Sequence, residues 1–202
     1  MITIIDYGMG NLGSIQNMLK RIGAAAMISS NINDIQQAEK ILLPGVGAFD
    51  AAIQRIDELG LREVLIKKAN VDKVPFLGIC LGMQLLTKSS EEGLLLGLGL
   101  IDADTQKFKF DNNALKIPHM GWNFVHHRND STLTEGFTEE FRFYFVHSYF
   151  VKCHNLNDVV MQTEYGGRFD SIVQRDNVYG AQFHPEKSHK YGMKLLENFS
   201  KI

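Results

Sequence analysis

A chain of 202 residues is long enough to bury a sizeable core and reads as one domain over residues 1–202. Hydrophobic residues make up 45% and charged residues 22%, and 21 Lys and Arg are scattered against 23 Asp and Glu for a formal net charge of −2, which excludes the basic stripe of a nucleic-acid binder. No apolar run approaches the roughly 18 to 20 residues that cross a bilayer, and residues 1–6 lack the basic region of a signal peptide, so a cytoplasmic chain with no membrane partner is expected.

In chain order, residues 2–5 form a β-branched run that ends in Asp6 and a Gly-rich turn. A helical pattern follows, with Leu12, Ile15, Leu19 and Ile22 on one face and Asn11 at its cap. A weaker strand at 25–28 leads to a strand at 40–43, the turn Pro44-Gly-Val-Gly47, a helix over 48–59 and a second helix to 68. Residues 75–79 again read as a buried strand that runs into helical spacing at 80–86. Such alternation predicts an α/β fold, an open and largely parallel sheet with helices on both faces. Beyond Glu91 strands are expected at 93–99, 105–110, 123–127, 143–151 and 158–164, giving a mixed sheet with a more antiparallel C-terminal half, closed by a helix at 191–199 that buries Leu195, Leu196 and Phe199.

Gly78-Ile-Cys-Leu-Gly82 sets Cys80 between two glycines at a strand-to-helix junction, the thiol counterpart of a nucleophile elbow. The sharp turn strains the nucleophile's backbone, and the glycines remove side chains that would collide with neighbouring backbone. Unpaired N–H groups at the helix start favour a thiolate and offer an oxyanion site, that of Leu81 first. A lone cysteine is more often a small buried hydrophobe, so the elbow carries the argument. Gln182-Phe-His-Pro-Glu186 supplies a base and its orienter: on extended backbone His184 and Glu186 share a side, and Pro185 biases His184 toward that form. In isolation the pair could be a surface turn; with Cys80 it completes a nucleophile, base and orienter set.

These motifs, in this order and over most of the chain, resemble the class I (triad) glutamine amidotransferases. Asp6-Tyr-Gly-Met-Gly-Asn-Leu12, Pro118-His-Met-Gly-Trp-Asn123, Phe145-Val-His-Ser-Tyr149 and His184-Pro-Glu-Lys-Ser188 resemble its imidazole glycerol phosphate synthase branch. The resemblance implies hydrolysis of L-glutamine by Cys80, His184 and Glu186, with ammonia passing to a (β/α)8-barrel cyclase subunit in a heterodimer of histidine biosynthesis. It also implies an oxyanion site from the N–H of Val46 or Gly47 with Leu81, a glutamine pocket of Gln84, His147, Ser148 and Tyr149, and a partner face with Asn11, Trp122, Asn123 and Lys187. No cofactor is implied.

Gly8-Met-Gly-Asn-Leu-Gly13 matches a dinucleotide fingerprint, but Asp34 is not clearly at a strand end, so a tight turn is the preferred reading. Histidines such as His126, His127 and His189 lack metal-ligand spacing, and Cys153 reads as structural. Three rivals stand beside the main reading: a paralogous glutaminase serving a synthase that amidates a surface sugar, a non-catalytic regulatory scaffold, and the related pyridoxal phosphate synthase glutaminase. His189-Lys-Tyr-Gly-Met193 and His126-His-Arg-Asn129 keep the first alive, and Met120-Gly-Trp-Asn123 argues against the last.

Overall fold

In a computed structural model, which describes residues 1–110 and 115–202, the alternation of apolar runs and helical patterns resolves into the expected βα repeats. The first half runs β1 (Ile2–Ile5), α1 (Leu12–Arg21), β2 (Ala26–Ser29), α2 (Ile32–Gln36), β3 (Lys40–Gly45), α3 (Phe49–Glu58), α4 (Leu61–Asn70), β4 (Phe76–Cys80) and α5 (Leu81–Leu85). The second half adds β5 (Ser89–Ser90), β6 (Ala103–Lys107), β7 (His119–Phe124), β8 (His126–His127), β9 (Arg142–His147), β10 (Tyr149–Cys153), β11 (Val159–Glu164), β12 (Arg168–Arg175), β13 (Val178–Ala181) and α6 (His189–Lys201).

The main sheet has the order β2-β1-β3-β4-β13-β12-β10-β6-β5, and β11 and β8 branch from β12. Strands β2, β1, β3, β4 and β13 are parallel; from β12 onward the pairings are antiparallel except at β5/β6. β7 and β9 form a separate antiparallel ribbon. The mixed, largely parallel sheet with an antiparallel C-terminal half is therefore as the sequence predicts. Two apolar layers cover it. Ile41 and Leu43 of β3 pack with Phe49, Ile53 and Ile56 of α3 on one side. Leu42, with Ile15 and Leu19 of α1 and Leu195, Leu196 and Phe199 of α6, fills the other. Adjacent residues of β3 thus point to opposite faces, as a strand buried on both sides requires.

Several expected elements differ. Residues 93–99 are not a strand: Asp50 accepts the N–H groups of Leu94 and Leu95 at 2.9 and 3.1 Å, and Arg62 donates to the carbonyl of Gly97 at 2.9 Å, so side chains satisfy backbone that a sheet neighbour would otherwise pair. The expected strand at 143–151 is two, β9 and β10, which part at Ser148 and join different sheets. The 123–127 run divides between β7 and β8, and the 105–110 strand is displaced to Ala103–Lys107. Strands β12 and β13 escape the sequence pattern because β12 buries Asp170 and Ser171 among its apolar residues and β13 is only four residues long. Asn11 holds the N-cap position of α1 without a side-chain cap hydrogen bond, which departs from the capping role expected of it. The segment Gly8–Gly13 is a turn into α1, with Asp6 Oδ1 accepting the Gly8 N–H at 2.9 Å; Asp34 sits in α2 and accepts from Ser29 Oγ at 2.6 Å. Among the described residues no helix is long and apolar enough to cross a membrane.

Candidate active site

Cys80 is the last residue of β4, the strand flanked by β3 and β13 in the parallel half. The register aligns Gly45 of β3 with Cys80 and Ala181 of β13 with Ile79, so three chain segments meet at the carboxyl ends of parallel strands, where open α/β sheets form ligand crevices. Cys80 has φ 54° and ψ −112°, a positive-φ conformation costly for a residue with a Cβ. The flanking glycines permit the turn. A Cβ on Gly78 would lie 2.6 Å from the Gly82 carbonyl oxygen, and one on Gly82 would overlap the backbone carbonyl of Leu43.

The expected base arrives from β13, whose chain continues through Gln182 and Phe183 to His184. His184 is extended at φ −100° and ψ 99°, as the following proline demands, but Pro185–Lys187 is a 3-10 turn. The turn, and not the expected strand alternation, returns Glu186 to the imidazole, with His184 Nδ1 to Glu186 Oε1 at 2.8 Å. Ser188 Oγ closes the turn by donating to the His184 carbonyl at 2.6 Å, and the His184 N–H donates to the Tyr144 carbonyl at 2.9 Å. Burial pushes the His184 pKa down, but hydrogen bonds to Cys80 and Glu186 and their charges prevail and raise it to about 9. At neutral pH the imidazolium is the favoured form. Among the described residues Glu186 Oε2 is buried with no hydrogen-bond partner, and Oε1 makes the His184 contact.

A cleft of about 350 Å³ opens over Cys80. Val46, Gly47 and Leu81, expected around an oxyanion, line it, as do Gln84, His147, Ser148 and Tyr149, expected around glutamine. Lys187, expected on a partner face, lines it too, its Nζ 5.8 Å from the Tyr144 ring centre. The β3 end that carries Val46 is buttressed by buried Tyr7, whose hydroxyl donates to the Pro44 carbonyl at 2.8 Å; burial and the charge of Cys80 hold that hydroxyl protonated. Gly45 must be glycine, because a Cβ there would overlap the Tyr7 hydroxyl.

Sequence reasoning did not single out two residues of this site. Glu92 lines the cleft, with Oε2 accepting the Phe49 N–H at 3.0 Å, and its turn carries no recognisable signal. Gln182 is fully buried, accepts from Gln84 Nε2 at 3.2 Å and points Nε2 toward Cys80 Sγ at 3.9 Å; its place in the Gln-Phe-His-Pro-Glu motif was the available clue.

The remaining expected residues fall outside the cleft. Asn11 is exposed. Trp122 is 42% exposed and shares the outer face of β7 with exposed Met120 and Phe124; the His189 ring lies flat on the Trp122 ring at 5.6 Å, and Arg142 approaches it at 5.8 Å. Asn123 alternates to the other side of β7 and turns inward: its amide nitrogen donates to the Glu164 carbonyl at 2.9 Å and to His119 at 3.3 Å. That places its side chain away from the outer face expected of it, because adjacent strand residues point to opposite sides.

Residues 3–202 match the family model for "Glutamine amidotransferase class-I". The chain is 56% identical to "Imidazole glycerol phosphate synthase subunit HisH 2" of Methanococcus maripaludis, with 100% of this chain and 99% of that protein covered. It is 48% identical to the protein of the same name in Pseudomonas aeruginosa and 44% identical to subunit HisH of Leptospira interrogans, each over the full length of both chains. The fold is shared with a glutamine amidotransferase from Thermotoga maritima (TM-score 0.65, 19% identity, 99% of this chain and 82% of that one). A CTPS glutaminase domain from Trypanosoma brucei shares it as well (TM-score 0.67, 14% identity, 99% and 93%). With a family model spanning nearly every residue and full-length relatives at this identity, the chain belongs to the class I glutamine amidotransferase family.

Proposed function

We propose that this chain is the glutaminase subunit of an imidazole glycerol phosphate synthase, a single amidotransferase domain that hydrolyses L-glutamine and delivers the ammonia to a (β/α)8-barrel cyclase subunit in histidine biosynthesis. The observation that carries the reading is the array of Cys80 on a strained elbow, His184 near enough to Cys80 to feel its charge and hydrogen-bonded to Glu186, and a cleft above them lined by Val46, Gly47 and Leu81, whose N–H groups can serve an oxyanion. Among the described residues, the cleft's charged lining apart from His184 is Glu92 and Lys187, one of each sign, which suits the zwitterionic end of a free amino acid.

In this reading the Cys80 proton passes to His184, the sulfur attacks the γ-carboxamide carbon, and the carbonyl oxygen becomes an oxyanion, received by the N–H of Leu81 and of Val46 or Gly47. The imidazolium, with the Cys80 proton on it, then acts as the acid: it donates to the amide nitrogen as the C–N bond breaks and ammonia leaves. A thioester to Cys80 remains. Neutral His184 then takes a proton from water, whose oxygen attacks the thioester carbonyl and releases glutamate and the sulfur. Glu186 holds the ring through Nδ1 throughout.

The partner reading rests on the outer face of β7, where Met120, Trp122 and Phe124 expose an apolar stripe beside the cleft. Asn11 and Lys187 extend the proposed contact. Two buried, unpaired cysteines support a cytoplasmic location.

A second reading, a paralogue serving a synthase that amidates a surface sugar, is favoured by one observation: relatives at 56% and 48% identity carry the numeral 2, a label given to numbered copies. The test is glutamate release by the chain alone, with the cyclase of its own genome, and with that cyclase plus its nucleotide substrate. Activity that rises only in the complete mixture supports the first reading, and a Cys80→Ala complex should then lose glutamine-dependent synthesis while keeping synthesis from free ammonia. Folded protein that stays silent with that cyclase and fails to rescue a histidine auxotroph supports the second; glutamate release by the Cys80→Ala complex would refute the nucleophile.

A further inference from the structure

His119 and His147 are buried imidazoles whose nitrogens touch, His119 Nδ1 lying 3.0 Å from His147 Nε2. His147 lines the cleft; His119 lies behind it on β7. The direction of every proton in this pair follows from its neighbours. The Tyr149 carbonyl can only accept, so His147 Nδ1, 2.8 Å away, carries a hydrogen. Burial holds His147 neutral, its pKa pushed down to about 3, so Nε2 is bare and accepts. His119 Nδ1 must then be the donor. Burial also lowers the His119 pKa, to about 4, leaving its Nε2 bare to accept from the Asn123 amide nitrogen at 3.3 Å. The Asn123 amide orientation is fixed independently, because its Oδ1 accepts the Phe124 N–H at 2.8 Å and its nitrogen donates to the Glu164 carbonyl. The His119 ring is stacked between Tyr165, 4.0 Å away, and Phe145, 4.8 Å away.

Two consequences follow. His147 has both nitrogens engaged inside the protein, so it presents no free donor or base to a substrate. And the Tyr149 carbonyl accepts from two donors, His147 Nδ1 and Gln84 Nε2 at 3.0 Å, which ties three of the residues expected around glutamine to one atom. Resting on the glutamine reading above, we propose that His119 is a positioning residue for glutamine, acting through the His119–His147–Tyr149 relay that fixes the cleft wall, although it touches neither substrate nor Cys80.

Two substitutions separate this from a packing role. His119→Phe keeps an aromatic ring between Phe145 and Tyr165 but deletes both hydrogen bonds, and His119→Gln restores a donor and an acceptor. In the full chain with its cyclase partner, His119→Phe is expected to raise KM for glutamine about tenfold or more, the effect of one buried polar group left unpaired, with a smaller change in kcat. Ammonia-dependent synthesis and iodoacetamide labelling of Cys80 should stay at wild-type level, and His119→Gln should fall within about threefold of wild type, on the same scale of hydrogen-bond loss and rescue. A wild-type KM in His119→Phe, or His119→Gln as impaired as His119→Phe, overturns the proposal. Should His119→Phe fail to fold, long-range ¹H–¹⁵N spectra of the unaltered protein near pH 6 decide: both rings neutral and protonated on Nδ1 sustains the relay, and a charged ring or an Nε2–H tautomer at either residue overturns it. Wild-type protein that takes no glutamine would defeat the functional reading, an outcome distinct from the tautomers, which are read without substrate.

Discussion

Removing the Cys80 thiol should lower the pH at which His184 gives up its proton. His184 is raised from an ordinary value of 6.5 to about 9, although burial acts in the opposite direction, and the opposing causes are the hydrogen bond and charge of Cys80 and those of Glu186. The interval from 6.5 to about 9, at about 1.4 kcal/mol per pH unit, corresponds to roughly 3 kcal/mol of net preference for the imidazolium. The side chain is 4% exposed, so solvent screening takes little from that figure. In Cys80→Ala only Glu186 remains to oppose burial, and the midpoint should move down from about 9 toward the ordinary value. A group whose pKa is higher folded than unfolded adds stability that is complete below the unfolded value and disappears as pH rises through the folded one. Wild type should therefore lose up to roughly 3 kcal/mol of unfolding free energy from this group as pH rises from 6.5 through about 9, and Cys80→Ala less. Imidazole NMR titration of both proteins, with urea unfolding at each pH, measures the two effects. A wild-type His184 that titrates near 6.5, or at the same pH in both proteins, refutes the reasoning.

Glu186→Gln keeps the shape of the turn but removes the charge that steadies the imidazolium, and glutamate release by the complex should fall about 100-fold or more, as read from kcat. Gly82→Ala drives a methyl group into the Leu43 carbonyl, backbone against backbone, and should cost about 3 kcal/mol in urea unfolding together with the reactivity of Cys80. Trp122→Ala should weaken cyclase binding about tenfold or more by titration calorimetry while leaving iodoacetamide labelling of Cys80 in the isolated chain unchanged; a wild-type Kd would remove Trp122 from the interface.

Legibility in the sequence followed the physics of each segment. Strands β1, β3 and β4 are buried on both faces, so their apolar runs are continuous and the parallel half could be read directly. The elbow was legible because its steric demand falls on Gly78 and Gly82, two residues either side of the cysteine. What stayed hidden depends on distant partners. Asp170 makes β12 look polar, yet its two oxygens accept from the Cys153 N–H and from Gln162, both at 2.9 Å, across neighbouring strands. Residues 93–99 look like a strand until Asp50, more than forty residues earlier in the chain, claims the N–H groups of Leu94 and Leu95 while Gly97, Leu98 and Gly99 donate to carbonyls of residues 85–88. His119 lay inside the Pro118–Asn123 motif without a role that could be read there, since a histidine's tautomer is set by groups that folding brings to it.

The order of the chain explains why Cys80 and His184, the proposed nucleophile and base, lie about a hundred residues apart and still meet. Strands β4 and β13 are parallel neighbours, and the chain between them, from β5 to β12, is built mainly from antiparallel strands and the β7–β9 ribbon. That intervening half supplies the cleft wall at Val146, His147, Ser148 and Tyr149, where β9 ends and β10 begins in a different sheet. A strand that stayed in one sheet would pair its backbone groups with neighbours; the break at Ser148 leaves the Tyr149 carbonyl to side chains, and Gln84 of α5 and His147 take it. Gln84 begins one helical turn after Cys80, so the same carbonyl links the wall to the helix that follows the nucleophile. On the proposed reading, the glutamine-binding wall and the helix that follows Cys80 meet at this one carbonyl, and a change in the wall should be felt first in how glutamine is held and only then in the reactivity of Cys80.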